Sequence, residues 1–187
     1  MLVRECEYFI KVTNDSSTGP RFGIFADGYE VAGLSARLIG VPFPSSRLFR
    51  EESFDGVRWI SCLSSTNPEH RYSTHPWKLE RLDSVQLDSP LGGTLSTKRA
   101  LLSLALRIQR KLRDGEGVLV HCDMGIERTG AVLGTVLALE GFDPQRVACG
   151  IADAVEAQQP EWAGPRFPDD LAICIGKCLA LRQSANG

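Results

Sequence analysis

Val118-Leu119-Val120-His121-Cys122-Asp123-Met124-Gly125-Ile126-Glu127-Arg128-Thr129-Gly130 is the stretch that decides the fold. It opens with a β-branched and leucine run behind the turn-forming Asp114-Gly115-Glu116-Gly117, the pattern of a buried strand. Residues 129–139 are apolar almost throughout and stop at Gly141, the pattern of a helix with a glycine terminator. Residues 123–128 must therefore carry the chain from the end of a strand into the start of a helix. Upstream, Val85-Gln86-Leu87 reads as a short strand. Residues 95–113 read as a helix with Leu101, Leu102, Ala105, Ile108 and Leu112 on its buried side. Strand, helix and strand in that order predict two parallel strands of one sheet.

The chemistry follows from the residue types between the second strand and its helix. Backbone N–H groups at a helix start, with the helix dipole behind them, bind anions. A curled loop adds a nest of N–H groups for phosphate oxygens, and Gly125 lets the backbone turn closely at its middle. The same field favours the thiolate of Cys122, the form that attacks phosphorus in line. Arg128 presents a planar fork to two phosphate oxygens, which lysine cannot reproduce. Thr129 can give its hydroxyl to the sulfur, and His121 reads as a loop-orienting residue rather than a base. The pattern points to phosphate-ester cleavage through a cysteinyl-phosphate. A buried cysteine beside an unrelated surface arginine is the competing reading, and the combination of Cys, Gly, Arg, Thr and Gly between strand and helix outweighs it.

This segment resembles the phosphate-binding loop of the cysteine-based protein tyrosine phosphatases, which read His-Cys, five residues, Arg, then Ser or Thr, then often Gly. The compact length is similar to the dual-specificity branch. The specific resemblance covers 121–130, and the layout resembles the family over about 37–159. It implies an α/β fold: a central, mostly parallel sheet of four to five strands flanked by helices, in one phosphatase domain over 1–187. It also implies a two-step reaction with no metal and no cofactor. Cys122 attacks phosphorus. The backbone N–H groups of Asp123, Met124, Gly125, Ile126, Glu127 and Arg128, with the Arg128 side chain, bind the phosphate. An upstream aspartate protonates the departing oxygen and then serves as base toward water. Asp83 and Asp88 are the candidates. Asp88 follows its strand and so shares a sheet edge with Cys122, the edge where open α/β folds bind ligands. Asp83 precedes its strand and is expected on the opposite edge. Asp88 is the expected acid, and the bland alternative is that Asp88-Ser89-Pro90 only starts a turn.

The loop departs from the family in carrying two acidic side chains, Asp123 and Glu127. Family members acting on highly phosphorylated inositides tend to have lysines there. Glu127 is expected to face solvent or to pin a neighbouring arginine. A formal net charge of −2 without a basic run gives no general attraction to nucleic acid or acidic membranes. The expected partner is thus a phosphorylated protein, with phosphotyrosine, phosphoserine and phosphothreonine all open as substrates. Three alternatives stand. The Arg-Thr-Gly ending also resembles cysteine phosphatases acting on RNA 5′-triphosphates or inositol phosphates. A catalytically silent module could capture phosphoproteins. A redox protein could use Cys122 with Cys62. Nothing in the sequence sets the oligomeric state.

The rest of the chain is of ordinary make-up: 187 residues, 43% hydrophobic, enough for one core. No apolar run approaches the roughly 20 residues that span a bilayer, and residues 1–12 lack a secretory pattern, so the expectation is a cytoplasmic protein with reduced thiols. Cys174 and Cys178 share a helix face and read as core. His70 and His75 have no zinc-like spacing to any cysteine. Cys62 closes a strand over 56–63; it is a candidate to trap an oxidised Cys122 as a disulfide, against the ordinary reading of a buried strand cysteine. Further strands are expected at 6–12, 22–25 and 37–41, and a helix at 45–54. Residues 64–75 read equally as a pocket-flanking loop or a solvated connection. Asp143-Pro144 should start a helix running to Gln158, where Gln158 or Gln159 either positions the hydrolytic water or ends a polar helix. A last helix is expected over 169–181, packed through Leu171, Ile175, Cys178 and Leu179.

Overall fold

The strand behind Cys122 is the axis of the sheet. In the computed structural model, which describes residues 20–25, 28–41, 56–64, 82–158, 164 and 166–186, the six described strands are β1 (Arg21–Phe25), β2 (Gly28–Ala32), β3 (Leu38–Val41), β4 (Val57–Ser64), β5 (Leu82–Gln86) and β6 (Gly117–His121). Their order is β1-β2-β3-β6-β4-β5. β3, β6, β4 and β5 run parallel, while β1, β2 and β3 form an antiparallel meander. The sheet is therefore mixed, with one strand more than the four to five expected. The additional strand is β2, whose Gly-Tyr-Glu-Val-Ala sequence carries little strand signal. A bidentate ion pair clamps it to β3, with Arg37 Nε and Nη2 each 2.8 Å from a carboxylate oxygen of Glu30.

All five residues of β6 are buried, as a central parallel strand requires. In register, Leu38, Val118 and Trp59 lie with the helices on one face, and Ile39, Leu119 and Ile60 are buried on the other. The four described helices are α1 (Leu95–Arg113), α2 (Glu127–Leu139), α3 (Pro144–Gln158) and α4 (Phe167–Asn186). The bounds of α1 match the sequence reading. Thr94 caps it by accepting from the Thr97 N–H, and Arg110, Lys111 and Arg113 face the negative end of its dipole. Its buried side differs by one position: Leu104 is fully buried and Leu102 only partly so. Asp143 caps α3 as expected, its Oδ1 accepting from Arg146 N at 3.0 Å.

α2 is buried along nearly its whole length because it lies between the sheet and α4, which also packs on α1 and α3. Gly134 permits that approach; a Cβ there would stand 2.6 Å from Ile175 Cδ1. Cys174 and Cys178 are both fully buried in this core, as their spacing implied, beside Leu171 and Ile175. Among the described residues, no helix is long and apolar enough to cross a membrane. The strand expected at 6–12, the helix at 45–54, residues 65–75 and Gln159 lie outside the described residues.

The altered phase of α1 is open to test. Leu104→Ala should lower unfolding stability by about 2–5 kcal/mol in a denaturant titration, and Leu102→Ala clearly less. The reverse ranking would refute this placement of the helix.

Candidate functional site

β6 delivers the chain to a buried sulfur. His121 is 1% exposed and Cys122 3%, and His121 pairs in register with Val41 on one side and Cys62 on the other. Cys62 thus lies beside His121 on the neighbouring strand, one residue short of Cys122. Beyond the strand end the backbone doubles back, with Gly125 at φ +71°, a conformation that favours glycine. This curl brings the Gly125 N–H to 3.2 Å from Cys122 Sγ. From the first turn of α2, the Thr129 hydroxyl donates to the same sulfur at 3.2 Å. Two donors thus converge on one buried sulfur. α2 starts at Glu127, and its N-cap, Ile126, supplies no side-chain acceptor to the N–H groups of the first turn. Those groups, with the dipole behind them, suit an anion seated above the sulfur.

Arg128 stands in that first turn, partly buried. Its Nε donates to the Leu87 carbonyl at 2.8 Å, and its Nη1 lies 3.5 Å from Asp123 Oδ2. Nε is thereby taken by a backbone carbonyl and Nη1 lies beside a carboxylate. Glu127 differs from expectation. Instead of facing solvent or pinning an arginine, its Oε1 accepts from the Ser89 hydroxyl and from the Leu91 N–H, the latter at 3.3 Å. Met124, 39% exposed, lies at the rim.

Leu87 and Asp88 follow the C-terminal end of β5, on the edge shared with Cys122. Asp88 is exposed, and the carbonyl of the residue before it is the one that receives Arg128. Asp83 is corrected in detail: β5 begins at Leu82, so Asp83 lies inside the strand, paired in register with Ser61, rather than before it. The Asp88 side of the comparison is unchanged, since Asp83 remains upstream of the strand's C-terminal edge.

Three features were not anticipated. Lys98, in the first turn of α1, is buried and donates through Nζ to the Pro90 carbonyl and, at 3.4 Å, to that of Leu91. Cys174 Sγ donates to the Pro90 carbonyl at 3.5 Å. Tyr29, on the unpredicted β2, is 1% exposed; burial, with the charge of Cys122 adding to it, pushes its hydroxyl well above the usual phenol range, so it stays neutral. Gln158 donates through Nε2 to the Gly28 carbonyl and so ties the end of α3 to β2, the structural alternative of the two readings it had.

The arrangement makes a specific prediction about anions. Inorganic phosphate should protect Cys122 from alkylation by iodoacetamide, and Arg128→Ala should remove most of that protection. Equal protection in both proteins would mean that the guanidinium does not face the bound anion.

The chain matches no protein-family model and none of the curated proteins. Solved structures share its fold. A Cys-to-Ser variant of P. aeruginosa TpbA in complex with pTyr is 18% identical, with 93% of this chain and 100% of that one covered at a TM-score of 0.53. The human tyrosine phosphatase-like serine/threonine/tyrosine-interacting protein is 15% identical over 78% of this chain and 93% of that one, with a TM-score of 0.58. PTPMT1 in complex with PI(5)P is 16% identical over 79% and 95%, with a TM-score of 0.50. The fold is thus the α/β fold of the cysteine-dependent phosphatases.

Proposed function

We propose that this chain is a cysteine-dependent phosphomonoesterase whose substrate is a phosphorylated protein side chain, phosphotyrosine foremost. The observation that carries the reading is the pair of donors, Gly125 N–H and Thr129 O–H, converging at 3.2 Å on the buried sulfur of Cys122 at the mouth of a helix. In the first step Cys122 Sγ attacks phosphorus, and the S–P bond forms as the P–O bond to the leaving group breaks. Arg128 and the loop N–H groups bind the equatorial oxygens as charge develops there. Asp88 gives its proton to the departing oxygen. In the second step water attacks the cysteinyl-phosphate, Asp88 takes the water's proton, and the sulfur leaves as a thiolate into the two donors that hold it.

Charge at the loop favours a single phosphate. Asp123 lies 3.5 Å from the Arg128 guanidinium. A polyanion such as an RNA 5′-triphosphate or an inositol polyphosphate would meet this carboxylate as well as the arginine, whereas a monoester presents only the group that the cradle neutralises. The fold relative TpbA is seen in complex with pTyr, which agrees with a monoester; PTPMT1 is seen with PI(5)P, so a phosphoinositide belongs in the substrate panel.

The test is hydrolysis of an aryl phosphate with chelator and reductant present. Turnover should persist in chelator and vanish in Cys122→Ser; turnover retained in that variant would give the nucleophile's role to another residue. Arg128→Lys should lose about a hundredfold or more despite keeping the charge, the scale of losing a positioned transition-state donor. Asp88→Asn should slow poor leaving groups by about 10²–10⁴ and good ones far less. Equal losses on both would remove Asp88 from the acid role.

A further inference from the structure

The segment that carries Asp88 is gripped from two sides. On the core side, Lys98 and Cys174 donate to the carbonyl of Pro90, and Lys98 also reaches that of Leu91. These bonds anchor the segment to α1 and α4. On the side of the phosphate-binding loop, Arg128 holds the Leu87 carbonyl at 2.8 Å. Glu127 makes the remaining contacts: one carboxylate oxygen accepts from both the Ser89 hydroxyl and the Leu91 N–H. The bonds from residues 127 and 128 thus bracket Asp88, falling on Leu87 before it and on Ser89 and Leu91 after it.

We infer that Glu127 is a positioning residue that sets the Asp88 carboxyl against the Cys122 loop. The inference rests on the phosphatase reading and deepens it, because it assigns a task to a side chain that has no place in phosphate binding. The residue type suits the task. A carboxylate is favoured at the first position of a helix by the dipole, and only an acceptor can satisfy an O–H and an N–H together. Glu127 adjoins Arg128 in sequence, so one turn of α2 holds the acid segment on both sides of Asp88. Misplacing a reacting group by about 1 Å can cost on the order of a hundredfold in rate. Glu127 therefore affects proton delivery and leaves the nucleophile's own environment intact.

The effect has a signature that a merely structural role lacks. Glu127→Ala should slow phenyl phosphate, a poor leaving group, by about ten- to hundredfold, and p-nitrophenyl phosphate by less than about threefold, since a good leaving group needs little acid. Glu127→Gln keeps an acceptor oxygen and should restore most of the lost phenyl phosphate turnover. Added to Asp88→Asn, Glu127→Ala should cause little further loss, because both act on one proton transfer. Amide hydrogen exchange at Leu91 should quicken in the alanine variant and return toward the native rate in the glutamine variant. Equal losses on the two substrates, full additivity with Asp88→Asn, or unchanged exchange at Leu91 would each overturn the inference. The exchange measurement needs no turnover. An unaltered protein without activity, but with exchange that responds to Glu127, would refute the phosphatase reading and keep the tie between the two segments.

Discussion

A buried sulfur with two donors aimed at it organises the structure around Cys122. A polar group removed from water needs partners directed at it. At Cys122 the donors come from the loop itself, through Gly125, and from the first turn of α2, through Thr129. Both depend on a backbone that leaves β6 and reverses within four residues. That reversal requires the glycine conformation at position 125 and a helix that starts at Glu127. The helix can start there because its apolar length is enclosed between the sheet and α4, so packing rather than capping holds its N-terminus.

The parallel part of the sheet does the rest of the positioning. β5, β4 and β6 end on one edge, which brings residues far apart in sequence to the same rim. The segment after β5 that carries Asp88 is then fixed by side chains from both layers: Lys98 and Cys174 from the helical layer, Arg128 and Glu127 from the first turn of α2. A loop segment would ordinarily be loosely held. Here each of the residues around Asp88 has its backbone or side chain engaged, which favours a site built before substrate arrives over one assembled by closure.

How much of this was readable from the sequence depends on the range of the signal. The strand-to-helix turn at 121–130, the bounds of α1, the Asp143 cap and the buried cysteine pair of α4 are local patterns, and periodicity or motif reveals them. β2 was missed because its strand character comes from pairing between β1 and β3, not from its composition. In α1 the density of leucine around positions 101–106 blurs the helical phase, so the sequence alone does not distinguish the partly buried Leu102 from the fully buried Leu104. The roles of Glu127 and Lys98 were out of reach for a different reason. A glutamate after an apolar residue and a lysine in a first helical turn look like solvated charges, and only the fold brings them to Ser89, Pro90 and Leu91.

A rapid acid quench during turnover of an aryl phosphate, followed by mass analysis of the proteolytic peptides, tests for a bond between sulfur and phosphorus at one residue. The expected result is a phosphoryl group on the peptide that holds Cys122, formed at the rate at which the aryl alcohol is released and lost as inorganic phosphate appears. Turnover with no phosphoryl group on that peptide, or with the group on another residue, would contradict it.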